Sequence, residues 1–115
     1  MPQATACPLT VEVELTASAA LVKCHGKLIA GVGDVLYVPV NSLYANHKRV
    51  VIDLTDLTRM DSLGLGTLVR LYVSARSAGC CVELINVGKQ IRDLLGITNM
   101  LKVFADMGEN GIKMC

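Results

Sequence analysis

One serine stands where chemistry is possible. Ser62 follows Asp61 at the head of a helical run, inside the stretch Val50 to Arg70, VVIDLTDLTRMDSLGLGTLVR. Aspartate is a favoured N-cap, so Asp61 predicts a helix whose first residues are Ser62 and Leu63. The first N–H groups of a helix have no partner within it, and the positive end of the helix dipole lies there. A phosphate on Ser62 would be tolerated by those donors. It would add about −1.5 to −2 charges, close in sequence to Asp61 and Asp56. A partner held there by apolar and carboxylate contacts would be expelled, with no change of fold. The plainer reading of a lone serine at a helix start is a cap, and residue chemistry alone favours it.

The neighbours of Ser62 look like a docking surface. On a helical projection of about 100° per residue, Leu65, Leu68, Val69, Tyr72 and Val73 gather on one side, expected to be the core face. Leu63, Thr67, Arg70, Ser74 and Ser77 gather opposite, so Leu63 is expected to project outward beside Ser62. Gly64 and Gly66 each cost roughly 1 kcal/mol against alanine inside a helix. Either Gly64 packs where a side chain would clash, or a bare first turn lets a partner come close to the backbone; both readings stand.

Other chemistries find little support. There is no GxxxxGK[ST] phosphate loop, and GLG at 64–66 lacks the third glycine and the acidic strand end of a dinucleotide site. Ser62 is not in a GxSxG elbow. His25 ends a strand and His47 lies in a loop, with nothing in the sequence to pair either with a nucleophile. Asp53, Asp56 and Asp61 could suggest a magnesium-dependent phospho-aspartate site, but His25-Gly26 supplies no acidic pair where that site needs one. Five cysteines, Cys7, Cys24, Cys80, Cys81 and Cys115, form no CxxC pair and have no histidine at ligand spacing. Cys24 and Cys81 fall in apolar strand patterns and are expected to act as small hydrophobes; Cys80-Cys81 as a redox pair is the minor alternative. Cys7 and Cys115, near the ends, are candidates only for adventitious intermolecular disulfides. No metal, cofactor or enzymatic activity is expected.

The elements that must position Ser62 read as one domain of 115 residues, with 52% hydrophobic content, enough for a core without staples. With 3% aromatics and no Trp, that core is aliphatic. A net charge of +1 from scattered Lys and Arg offers no nucleic-acid surface. The apolar runs fall short of the ~20 residues of a membrane span, and no charged-then-apolar leader is evident. A soluble cytoplasmic protein, without membrane insertion, is expected.

Leu9–Leu15 alternates, with Val11, Val13 and Leu15 on one face and Thr10, Glu12 and Glu14 on the other, which predicts a strand with one wet face. A second strand, Ala19–His25, follows through Thr16-Ala17-Ser18 as a hairpin, and Gly26 breaks it. Apolar residues at 32, 35, 36, 40, 43 and 44 predict a helix with Asp34 as N-cap, disturbed by Pro39. Val50–Leu54 is a buried strand, Thr55–Met60 a loop, and Leu63–Ala78 a helix ending at Gly79. Cys81–Val87 is a strand and Gly88–Leu95 a short helix with Ile91, Leu94 and Leu95 inward. A turn or helix at Thr98–Leu101 and an edge strand at Val103–Ala105 complete β-β-α-β-α-β-α-β. This is an α/β fold with a mixed sheet, parallel in the middle with right-handed crossovers. Residues 1–8 are expected to be disordered, residues 9–105 to form the domain, and the Gly-rich tail 106–115 to be frayed.

These residues resemble the STAS domain family, the anti-sigma factor antagonists of bacteria. VVIDLTDLTRMDSLGLGTL, RSAGCCVELINV and IRDLLGITNMLKVF carry the resemblance, from about Leu9 to Ala105. It implies helices packed largely on one side of the sheet. It also implies phosphorylation of Ser62 by a serine kinase that is itself an anti-sigma factor. The unphosphorylated form would bind that kinase and free a sigma factor; the phosphorylated form would let go, and a cognate phosphatase would reset it. Asp61, Leu63, Gly64, Gly66, Thr67, Arg70 and Leu28 are the expected partner-binding residues. The chain departs from the family pattern at Leu63, where a second serine is frequent, and at Ile29, where an acidic residue is frequent after Gly26-Lys27-Leu28. A scaffold or binding module in a stress-signalling or transporter-associated complex is the alternative.

Overall fold

The computed structural model describes residues 8–97, 105–106 and 111–114. The elements run β1 (Leu9–Leu15), β2 (Ala20–Leu28), α1 (Gly33–Leu43), β3 (Arg49–Met60), α2 (Ser62–Ala78), β4 (Cys81–Ile85), α3 (Lys89–Ile97), β5 (Ala105–Asp106) and β6 (Ile112–Met114). One six-stranded mixed sheet has the order β1-β2-β3-β4-β6-β5. β2, β3 and β4 are parallel neighbours. β1 lies antiparallel to β2, and β6 antiparallel to both β4 and β5.

The two crossovers β2-α1-β3 and β3-α2-β4 step in the same direction along the sheet, so right-handedness places α1 and α2 on one face. Strand alternation then decides the core. Ala20, Val22 and Cys24 from β2, Val50, Ile52 and Leu54 from β3, and Val82 and Leu84 from β4 are buried beneath the helices. Leu36 and Val40 of α1 and Leu68, Leu71 and Ala75 of α2 close over them. The core is aliphatic, as the composition requires. Among the described residues no helix is long and apolar enough to cross a membrane.

The structure departs from the sequence-based expectations at several places. β2 does not stop at His25; it runs through Gly26, whose φ of 103° needs glycine, to Leu28. Thr55–Met60 is not a loop but the second half of β3, paired with β2 from His25 to Leu28 and tied by Thr58 Oγ1 donating to Gly26 O at 3.0 Å. Asp34 does not cap α1: the N-cap is Val32, without a side-chain hydrogen bond, and Pro39 sits inside the helix. The core face of α2 is rotated from the expected one. Thr67, Leu71 and Ala75 are buried, whereas Val73 is 55% exposed. The reason is the neighbour: α1 begins at Gly33, whose bare Cα lies against Thr67. β4 ends at Ile85, and α3 runs on to Ile97 with Ile91 and Leu95 buried and Leu94 packed against the core. Ile112–Met114 is not frayed but pairs with β4. Cys24 is a buried free thiol as expected, but Cys81 is disulfide-bonded rather than a simple hydrophobe. The expected segments Thr98–Leu101 and Val103–Phe104, and residues 1–7, lie outside the described residues.

Candidate functional site

The site is built on the junction of β3 and α2. Asp61 is extended, with φ −105° and ψ −176°, and its Oδ1 accepts from Gly64 N at 2.8 Å. Its Oδ2 accepts from Ala30 N at 3.0 Å, in the loop between β2 and α1. Asp61 N donates to Leu28 O at 3.4 Å. One carboxylate therefore caps α2 and staples it to the β2–α1 loop. The hydrogen bonds from Gly64 and then Ala30 hold the Asp61 carboxyl below its ordinary value of 3.8. A folded value below the unfolded one means that this contribution to stability is complete above pH 3.8 and is lost as pH falls through the folded value. Acid unfolding followed by circular dichroism should thus show a shallower acid-side loss in Asp61→Asn than in the wild type. Superimposable acid limbs would rule out the staple.

The two glycines of the first turns separate into different roles. A Cβ on Gly64 would come within 2.0 Å of Leu28 O and 2.9 Å of Met60 Cγ, so α2 approaches the end of β2 only because residue 64 is glycine. A Cβ on Gly66 would meet nothing within 4 Å. Gly66→Ala is therefore expected to stabilise the fold by about 0.5–1 kcal/mol, read as a higher urea midpoint. A lower midpoint would mean that residue 66 is sterically constrained after all.

Ser62 is exposed at the first position of α2, and Leu63 beside it is 64% exposed. Leu63, Thr67 and Arg70 share a cleft of about 300 Å³ with Ile29, Ala30 and Gly31 of the β2–α1 loop. Three of the expected partner-facing residues thus meet at one cleft. Gly64 and Leu28 do not face it: both are buried beneath it. Thr67, expected on the outer face, is 4% exposed, with its hydroxyl donating to Leu63 O at 3.4 Å. Gly66 is partly buried. Arg70 spans to α1, with Nη1 3.4 Å from Asp34 Oδ1 and the guanidinium 4.0 Å from the centroid of the Tyr37 ring. Both contacts pin a long side chain at the cleft wall.

Sequence reasoning did not place Ala30, Gly31, Gly33, Asp34 or Tyr37 at the site. The run Ala30-Gly31-Val32-Gly33 carried a usable signal. Gly31 has φ 87°, and Gly33 has no room for a Cβ, because Thr67 Oγ1 would lie 2.4 Å away. A second cluster was also missed. His25 Nε2 contacts Glu12 Oε2, and its Nδ1 lies 3.1 Å from Asp56 Oδ2, on the sheet face away from α1 and α2.

A mixed sheet with α1 and α2 on one face has counterparts among known structures. The STAS domain family model matches residues 10–112, and the chain belongs to that family. An anti-sigma factor antagonist from Mycobacterium paratuberculosis has a similar structure, with 21% identity, a TM-score of 0.70, and coverage of 82% of this chain and 80% of that one. The Bacillus cell fate determinant SpoIIAA in its phosphorylated form is similar at 14% identity and a TM-score of 0.66, over 87% of this chain and 93% of that one. A sulfate transporter family protein from Wolinella succinogenes is also similar, at 16% identity and a TM-score of 0.66, over 77% and 73%. At these identities the likenesses establish the fold.

Proposed function

We propose that this chain is an anti-sigma factor antagonist working as a phospho-switch at Ser62. Unphosphorylated, it binds a serine kinase that is also an anti-sigma factor, and so releases a sigma factor. Phosphorylation abolishes that binding, and a cognate phosphatase restores it. The observation that carries this reading is the exposed Ser62 at the first position of α2, beside exposed Leu63 and the cleft of Ile29, Thr67 and Arg70. Similarity to an anti-sigma factor antagonist and to phosphorylated SpoIIAA supports it.

The chemistry needs nothing from the protein beyond presentation. The kinase would supply ATP; the serine hydroxyl attacks the γ-phosphorus, ADP leaves, and the hydroxyl proton passes to a kinase base. The chain contributes an accessible hydroxyl, a rigid helix start fixed by Asp61, and an apolar side chain for docking. Afterwards the phosphate adds about −1.5 to −2 charges, next to Asp61 in sequence. A partner aligned by carboxylate and apolar contacts then meets like charge. On this reading the chain is not an enzyme, and it acts in the cytoplasm.

Incubating the chain with ATP and a serine kinase of the anti-sigma factor type, and mapping the product by mass spectrometry, tests this. Phosphate on Ser62, and none on Ser62→Ala, is expected. Modification at another residue would overturn the assignment. A second reading, a constitutive binding module in a stress-signalling or transporter-associated complex, is favoured by the 64% exposure of Leu63 at a place where the family frequently has serine and by the likeness to a sulfate transporter family protein. That reading requires Ser62→Asp to leave partner affinity unchanged.

A further inference from the structure

Among the described residues, β1 ends the sheet and has a neighbour on one side only, so its outer edge carries a hydrogen-bonding ladder that they do not use. Pro8 O accepts from Lys27 N at 2.9 Å, and the register runs unbroken from Leu9 opposite Gly26 to Leu15 opposite Ala20. Bonded pairs alternate in an antiparallel ladder. Thr10, Glu12 and Glu14 therefore spend their backbone groups on β2, while Leu9, Val11, Val13 and Leu15 turn theirs outward.

Two side chains on that edge are exposed where the helix layer does not cover them. Val13 is 42% and Leu15 63% exposed, although they stand opposite fully buried Val22 and Ala20. Edges are normally blunted by proline, by charged side chains, lysine above all, or by a bulge; Leu9–Leu15 has no proline, lysine or bulge, and its charges, Glu12 and Glu14, stand on one face only. The opposite face of the same edge is acidic. Glu12, Glu14, Asp53 and Asp56 surround a single ammonium, Lys23, and the His25 imidazole. Lys23 Nζ donates to Glu14 Oε1 at 3.2 Å, and His25 lies between Glu12 and Asp56. Four carboxylates against those groups leave an excess of negative charge beside the open ladder.

We propose that β1 takes up, as an added strand, an extended segment of a partner protein in which apolar and basic side chains alternate. Residues directly opposite one another in a sheet share a face. The segment's apolar residues would cover Val13 and Leu15, and its lysines or arginines would stand over Glu12 and Glu14. A second copy of this chain fits less well, because β1 contains no cation and would set its glutamates against an equally acidic strand. The edge is separate from the Ser62 cleft, so this inference stands whether or not Ser62 is phosphorylated.

The probe is an end-blocked peptide of alternating lysine and valine, of β1's length, titrated into the ¹⁵N-labelled chain; its counterpart has glutamate for lysine. The lysine peptide is expected to shift the amides of Val11, Val13 and Leu15 and to weaken with salt, while the glutamate peptide leaves them in place. Val13→Pro removes one outward donor without touching the β1–β2 ladder, since an edge strand tolerates proline there. It should weaken the lysine peptide about tenfold. Shifts confined to other elements of the wild type, equal binding of both peptides, or undiminished binding by a folded Val13→Pro variant would each overturn the proposal. So would self-association of the wild type that Val13→Pro abolishes, which would assign the edge to a second copy.

Discussion

Gly64→Ala should destabilise the protein by about 3 kcal/mol or more, at or beyond the usual upper end for overpacking a closed contact. The atom that a new methyl group would meet first is a backbone carbonyl, Leu28 O, at 2.0 Å. Leu28 itself is fully buried in β2 and cannot swing aside. Relief would require α2 to lift from the sheet with its N-cap, breaking the hydrogen bonds that tie Asp61 to Ala30 N and Leu28 O. The urea midpoint of Gly64→Ala should therefore fall with little change in the slope, in contrast to the rise expected for Gly66→Ala two residues on. A Gly64→Ala variant as stable as the wild type would mean that α2 does not approach β2 as closely as described.

Ser62→Asp should weaken the kinase complex by about a hundredfold, whereas Ser62→Ala should bind as the wild type does but no longer respond to ATP. Both substitutions should change stability by less than about 0.5 kcal/mol, because the side chain is exposed. Gly64 and Ser62 thus differ in kind. One residue holds the junction together and the other is presented by it, two positions apart on one helix. Isothermal titration of the kinase with each variant reads the first effect, and urea melts read the second. A Ser62→Asp variant that binds undiminished would favour the constitutive module.

The parts of this fold that were legible in the sequence are the ones set by near neighbours. Asp61 before an apolar-periodic run and Gly79 after it delimit α2, and the structure places the N-cap at Asp61 and a left-handed C-cap at Gly79, with φ 71°. The parallel centre of the sheet followed from strand-helix alternation. What was illegible depends on partners distant in sequence. Thr55–Met60 is polar enough to read as a loop, and becomes strand because β2 continues past Gly26 to pair with it. The inward face of α2 is set by Gly33 of α1, which accepts Thr67. The Glu12–His25–Asp56 cluster exists only through the register of three strands. At the candidate site, the apolar and cationic contributions of Leu63 and Arg70 were readable from helical spacing. The loop that completes the cleft, and the burial of Leu28 and Gly64 under it, required the fold.

The most direct test of the phospho-switch is the affinity of the serine kinase for two preparations of the same chain, one unmodified and one carrying phosphate on Ser62 alone, with both shown by amide spectra to share one fold. Tight binding of the unmodified chain is expected, with loss of that binding in the phosphorylated chain and spectral changes confined to the neighbourhood of Ser62 and the Ile29–Gly31 loop. Equal affinity of the two preparations would contradict the switch.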